Sequence, residues 1–241
     1  MRKSEAFELG IMSNIPSYVK SFHMGNDSNY SDIKISKDNV ETFIEVKMSD
    51  AQLGTPRIKY HNNIWSGITE NKITEYACDK INTDSYCKTI TNRLSEVHYE
   101  KYNIKPTYIG YKIKHYTNKE ICPYMINYDT MKKVLVDDYK NQILLYDESS
   151  DSLKCVIEYY LEKKASFMQI GDNFYKLSNE NNFTHQEVPM LSGTSYCKIR
   201  ATFRKSKRWI EIFPTIKFRK LEESEYSLKP NTKKKNPFTD S

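Results

Sequence analysis

Apolar and polar positions alternate most regularly between Tyr30 and Gly54. The stretch reads as a strand, a turn, a second strand and the start of a tighter loop, with Asp32 on the first strand. Alternate side chains of a strand face the same way. Ile44, Val46 and Met48 therefore form an apolar face, and Phe43, Glu45 and Lys47 form the other. Helical spacing predicts a helix from residue 4 toward 22, with Ser4 as N-cap, Glu5 and Glu8 in its first turns, and Gly10 and Pro16 interrupting it. It recurs over 69–82 through Ile73, Tyr76, Ala77 and Ile81 and over 86–100 through Ile90, Leu94 and Val97, with Thr69 and Thr83 or Ser85 as caps of the two. The clearest helix covers 151–164, where Leu153, Val156, Ile157, Tyr160 and Leu161 form one stripe. Strands are predicted over 108–114, 142–146, 196–204 and 209–213, a helix over 129–139, and a hairpin over 166–177 turning at Gly171.

The hairpin over 30–54 also carries the chemistry. Pairing of its strands brings Asp32, thirteen positions before Glu45, close to that residue. Two carboxylates in one place suit Mg²⁺, which takes one or two protein carboxylates and fills its shell with water and phosphate oxygen. Such an ion polarises a phosphodiester and acidifies a bound water. Lys47 would hold the attacking water or help deprotonate it, and would offset transition-state charge. Glu-x-Lys alone carries little weight, because Glu70-Asn-Lys72 and Glu162-Lys-Lys164 repeat it where exposed helix surface is expected. An ordinary solvated hairpin with surface charges is the competing reading.

Asp32, Glu45-Val46-Lys47 and then Gln52 resemble the catalytic core of the PD-(D/E)xK nuclease superfamily. The longer match, from Gly25 to Ile33 and from Phe43 to Met48 with Gln52-Leu53-Gly54, resembles Type II restriction endonucleases, nearest to those cutting GCGC. The resemblance covers about 24–54, extends more weakly over 156–204, and does not reach the middle of the chain. Ser31 stands where the superfamily pattern has proline. The resemblance implies an α/β (strictly α+β) fold with a mixed central sheet flanked by helices. It implies Asp32 and Glu45 as metal ligands, Lys47 positioning water, Gln52 in support, and Glu8 as a further ligand from the first helix. At Glu8 a plain helix-start acid is the alternative.

A second face bears on substrate. Over 196–204 the outward positions of a strand would be Tyr196, Lys198, Arg200, Thr202 and Arg204, with Cys197, Ile199, Ala201 and Phe203 opposite. A basic ladder with polar spacers suits DNA, since Arg and Lys reach phosphates and guanine edges. Lys205, Lys207 and Arg208 extend it at a turn, Gly193 permits close backbone approach, and Arg57 and Lys59 are candidate phosphate contacts beside the metal. A half-exposed strand with solvated bases is the alternative.

Composition adds bounds. The net charge of +6 favours a polyanionic partner without requiring one. Hydrophobic residues are 38% of the chain, but 19 tyrosines can cover core edges while keeping a wet hydroxyl. Five cysteines without CxxC spacing, and five scattered histidines, predict reduced thiols, a cytoplasmic setting and no structural zinc. No run approaches the ~20 apolar residues of a membrane span, and no phosphate-binding glycine loop points to ATP.

The expectation is one domain over 1–220, with a catalytic core in about 1–60 and DNA recognition in about 150–220, followed by a charged mobile tail over 221–241. Its function would be Mg²⁺-dependent, sequence-specific cleavage of duplex DNA, with Mn²⁺ able to substitute. A homodimer would act on a palindrome, and a cognate DNA methyltransferase would belong to the same restriction system. A structure-specific or repair nuclease and a non-catalytic DNA-binding module are the alternatives.

Overall fold

A computed structural model describes residues 2–25, 29–54, 56, 58–61, 64–83, 109–110, 143–146, 151–179, 183–204 and 209–239, with backbone alone for 59–61, 109–110, 143–146, 199–204 and 209–213. All structural statements concern these residues. The elements are α1 (Lys3–Ser13), β1 (Lys20–His23), β2 (Ile33–Lys37), β3 (Val40–Lys47), β4 (Ile58–His61), β5 (Ile64–Gly67), α2 (Lys72–Thr83), β6 (Ile109–Gly110), β7 (Ile143–Tyr146), α3 (Asp151–Glu162), β8 (Ala165–Ile170), β9 (Asn173–Lys176), β10 (Gly193–Arg204) and β11 (Trp209–Leu221). The fold is mixed α/β. Rather than one domain and a tail, the chain forms two compact units, one of Met1–Leu53, Leu153–Thr194 and Phe218–Ser241, the other of Gly54–Ser152 and Ser195–Lys217.

The first unit is built on a five-stranded sheet in the order β1-β2-β3-β8-β9. β2 and β3 form the predicted antiparallel hairpin, in a register that opposes Ile33 to Ile44 and Lys37 to Val40. Its turn residues Asp38 and Asn39 have φ of 53° and 63°, as a tight two-residue hairpin requires. β3 then pairs in parallel with β8, setting Glu45 against Met168 and Lys47 against Ile170. Parallel pairing needs a crossover, and α3 lies on it immediately before β8. β8 returns antiparallel as β9 through Gly171 at φ +58°. β3 is thus the central strand. Ile44 and Val46 join Ile33, Ile35, Phe167 and Phe174 in the core.

Several local expectations change. α1 ends at Ser13 and is followed by β1 instead of running toward 22. Arg2, not Ser4, is its N-cap, and the Arg2 amide donates to the Glu5 carboxylate at 3.3 Å. Gly10 does not interrupt the helix, which runs through it to Ser13. Asp32 stands just before β2 rather than on it. Leu161, expected in the buried stripe of α3, is exposed, while Leu153, Val156 and Tyr160 are buried.

The largest correction concerns the C-terminus. Residues after Leu221 are not a loose tail. Tyr226, Leu228 and Phe238 are buried in the core of the first unit, where Phe238 meets Phe167 and Phe174 edge-on at 6.3 and 5.9 Å. Buried Gln169 ties this segment to β8. Its oxygen accepts from the Leu228 amide at 2.9 Å, and its nitrogen donates to the Gly171 carbonyl at 2.9 Å and to Ser227 Oγ at 3.2 Å. Four lysines and two prolines made the segment look polar, but three well-spaced apolar side chains suffice to anchor it.

The second unit holds the three-stranded sheets β11-β10-β7 and β5-β4-β6. α2 buries Ile73, Tyr76, Ala77 and Ile81, the predicted set. Its N-terminus is capped not by Thr69 but by Asn71, whose Oδ1 accepts from the Thr74 amide at 3.0 Å. Thr83 is its last residue and bonds back to the Asp79 and Lys80 carbonyls. The predicted helices over 86–100 and 129–139 lie outside the described residues, as does most of the strand predicted over 108–114.

Candidate active site

Three charged side chains meet at the centre of the first unit. The hairpin register places Asp32 beside the middle of β3, where its Oδ2 accepts a hydrogen bond from the Val46 amide at 2.8 Å. That amide lies between Glu45 and Lys47, so one strand supplies two of the charged groups and the backbone tether of the third. Glu45 is only 4% exposed. Lys47 Nζ donates to Glu45 Oε1 in an ion pair, with the lysine side chain 21% exposed. A solvated hairpin would leave these groups in water, and the other Glu-x-Lys copies show the contrast. Glu70, Lys72, Glu162 and Lys164 are all exposed.

Burial sets the electrostatics. The Asp32 carboxyl is pushed up to about 7, chiefly by loss of solvent and next by the nearby Glu45 charge, with Glu8 adding slightly. Lys47 and the Val46 amide pull the other way without winning. Burial works against the Lys47 ammonium too, but Tyr160, Glu45 and Asp32 together hold it above the usual lysine range. Lys47 is therefore a cation at neutral pH. In that form it can hold a water or a phosphate oxygen.

Tyr160 of α3, which the helical pattern marked only as core, completes the site. Its ring centroid lies 5.5 Å from Lys47 Nζ, and its hydroxyl donates to the Leu53 carbonyl at 2.5 Å. The Lys47 carbonyl accepts from the Gly171 amide at 2.7 Å, which seats the β8–β9 turn against the end of β3. Nothing in the helical stripe separates this tyrosine from its core neighbours. Its position opposite a half-buried lysine is a tertiary fact.

Glu8 is engaged elsewhere, for its Oε2 meets His23 Nε2 at 2.7 Å. Among the described residues no group of three or more His, Cys, Asp or Glu side chains stands close enough to hold a metal ion. Asp32 and Glu45 do fit a cation of the Mg²⁺ type, which needs only one or two carboxylates. Asp32 is raised chiefly by loss of solvent and next by the Glu45 charge, and a divalent ion would offset both effects by favouring the carboxylate. Ser31 Oγ, beside Asp32, is buried with no hydrogen-bond partner. Gln52 is exposed on the loop after β3.

The proposed DNA-contact residues are described only in part. Tyr196 and Lys198 are half-buried on β10, and Cys197 between them is buried, as the alternation requires. Arg200, Thr202 and Arg204 lie on the same strand, and Lys59 lies on β4, with backbone alone described. Arg57, Lys205, Lys207 and Arg208 lie outside the described residues. Gly193, at φ +145°, lies so close to the Lys220 carbonyl that no side chain would fit, so its close approach is made to β11.

No protein-family model matches the chain, and no curated protein matches it. Among solved structures, HhaI endonuclease in complex with DNA is similar at 13% identity and a TM-score of 0.43, over 85% of this chain and 62% of that one. This chain thus spans less than two thirds of that structure's chain. A likeness of that size carries no argument, so the functional reading rests on the site.

Proposed function

We propose that this protein is a Mg²⁺-dependent endonuclease that cuts duplex DNA at a short specific site, as part of a restriction system in the cytoplasm. The observation that carries the reading is the gathering of half-buried Asp32 and Lys47 around buried Glu45 at the centre of a sheet. A largely desolvated ion pair beside a second acid is costly to fold around, and a hydrophobic set of like volume would serve stability as well or better. Perturbed groups clustered in this way mark functional sites more often than scaffolding. The resemblance of residues 24–54 to restriction endonucleases names the chemistry.

In this mechanism Asp32 and Glu45 hold the metal, which when bound polarises the scissile phosphate and acidifies a water. Lys47, fixed as a cation, orients that water and offsets charge developing on the phosphorus oxygens. Gln52 assists from the following loop. Glu8, with one oxygen paired to His23, would be a further ligand through the other. Tyr196, Lys198, Arg200, Thr202 and Arg204 contact DNA, with Lys205, Lys207, Arg208, Arg57 and Lys59 on phosphates. A palindromic site calls for a two-fold dimer with one site per strand, and a methyltransferase of the same specificity protects the host genome. Mn²⁺ substitutes for Mg²⁺.

The test is digestion of phage DNA with and without Mg²⁺, read on gels and by end sequencing. Discrete, metal-dependent bands are expected. A smear on plain duplex with preference for branched DNA would favour a structure-specific nuclease. No cleavage with any divalent metal would leave a DNA-binding module.

A further inference from the structure

We propose that Tyr160 is a positioning residue for Lys47, keeping the ammonium in place when Glu45 is drawn toward a bound divalent cation. The proposal rests on the nuclease reading. Lysine is a point charge on a flexible four-carbon stem, so it aims a water only if something restrains its head. Two restraints are visible. One is the Glu45 carboxylate, paired with Nζ. The other is the Tyr160 ring, 5.5 Å from Nζ to its centroid. The first is the same carboxylate that a metal would take. The second is not open to that competition, because a hard cation of the Mg²⁺ type binds oxygen and not a π-face. A ring face still attracts an ammonium, more strongly where water is excluded.

Tyr160 is itself held firmly. It is 3% exposed, its hydroxyl donates to the carbonyl of fully buried Leu53 at 2.5 Å, and Tyr159 packs edge-on at 4.9 Å. α3 presents it from the face that buries Leu153 and Val156. The ring therefore cannot swing away when the carboxylate moves. Lys47 passes from two restraints to one, instead of from one to none.

The experiment reads the Lys47 side chain by NMR, with its signal identified by loss in Lys47→Ala, in wild type, Tyr160→Phe and Tyr160→Leu, with and without Mg²⁺. A ring-current shift of the Lys47 ε-methylene is expected in wild type and Tyr160→Phe in both conditions, and its loss is expected in Tyr160→Leu. In DNA cleavage, Tyr160→Leu should lower kcat roughly three- to thirtyfold at unchanged KM, with Tyr160→Phe close to wild type. Collapse of the wild-type shift on adding Mg²⁺, while cleavage is normal, overturns the proposal alone. Equal impairment of the Phe and Leu variants also overturns it, by assigning the effect to the hydroxyl. Absence of wild-type cleavage overturns the nuclease reading beneath it. Should Tyr160→Leu fail to fold, the wild-type spectra with and without Mg²⁺ decide the matter.

Discussion

Asp32 Oδ2 accepts a hydrogen bond from the Val46 amide, 2.8 Å away across the β2–β3 hairpin. One peptide group thereby fixes the position of a carboxylate on the adjoining segment relative to Glu45 and Lys47, its own neighbours in sequence. A one-residue slip of this hairpin would turn Glu45 and Lys47 into the apolar core and break the tether, so register and site stand or fall together.

The raised Asp32 makes metal-free stability depend on pH. Its folded pKa of about 7 lies above its unfolded value, so between roughly pH 4 and 7 the folded state binds more protons. Stability from this group is therefore greatest in acid and falls as pH rises through that window, by roughly 2–4 kcal/mol. Urea unfolding at pH 4.5 and 8 should show the fall in wild type and a smaller one in Asp32→Asn. Equal falls in both would show that Asp32 keeps an ordinary carboxylate pKa.

Lys47→Ala should reduce cleavage by about a hundredfold or more while leaving specific DNA binding intact. It should also raise the Asp32 pKa further, because the Lys47 charge lowers it in the native site. Cleavage assays, gel shifts and carboxyl NMR check these points. Near-normal cleavage would remove Lys47 from the mechanism.

The C-terminal segment should prove indispensable to the first unit. Phe238→Ala removes a ring packed on Phe167 and Phe174 and should cost about 3–5 kcal/mol. Ending the chain at Leu221 should leave that unit unfolded by circular dichroism. A stable, cooperatively folding truncation would restore the picture of a loose tail.

Gly193→Ala should destabilise by about 1–3 kcal/mol or more, since φ +145° strains any side chain and the Lys220 carbonyl blocks its Cβ. Thermal melting checks this. A neutral result would mean that β10 and β11 move apart there at little cost.

Local signals carried the reading where local rules decide. The hairpin alternation, the buried stripe of α2 and the Gly171 turn follow from spacing and turn chemistry alone, and the structure has them. The parallel joining of β3 to β8 could not be read, because strand partners distant in sequence leave no local mark. The same limit hid Tyr160, whose role depends on where a helix lands. It also hid the C-terminal anchor, because Tyr226, Leu228 and Phe238 are too sparse and irregular to register as a periodic element. Asp32, Glu45 and Lys47 were legible as a set, but the burial of Glu45 and the half-burial of the other two were not, and these separate them from the exposed copies of the same motif.

The parallel pairing of β3 with β8, and the packing of Phe238, far later in the sequence, into the same core, bear on how the protein is made. On the ribosome, β3 emerges early and must wait for β8 before its second edge is paired. The core around it closes only after Phe238 has left the exit tunnel, because long-range contacts form only once both partners exist. A nascent or prematurely terminated chain therefore carries Asp32, Glu45 and Lys47 without the scaffold that assembles them. If the protein is the nuclease proposed above, the order of synthesis delays its activity until Phe238 has been made.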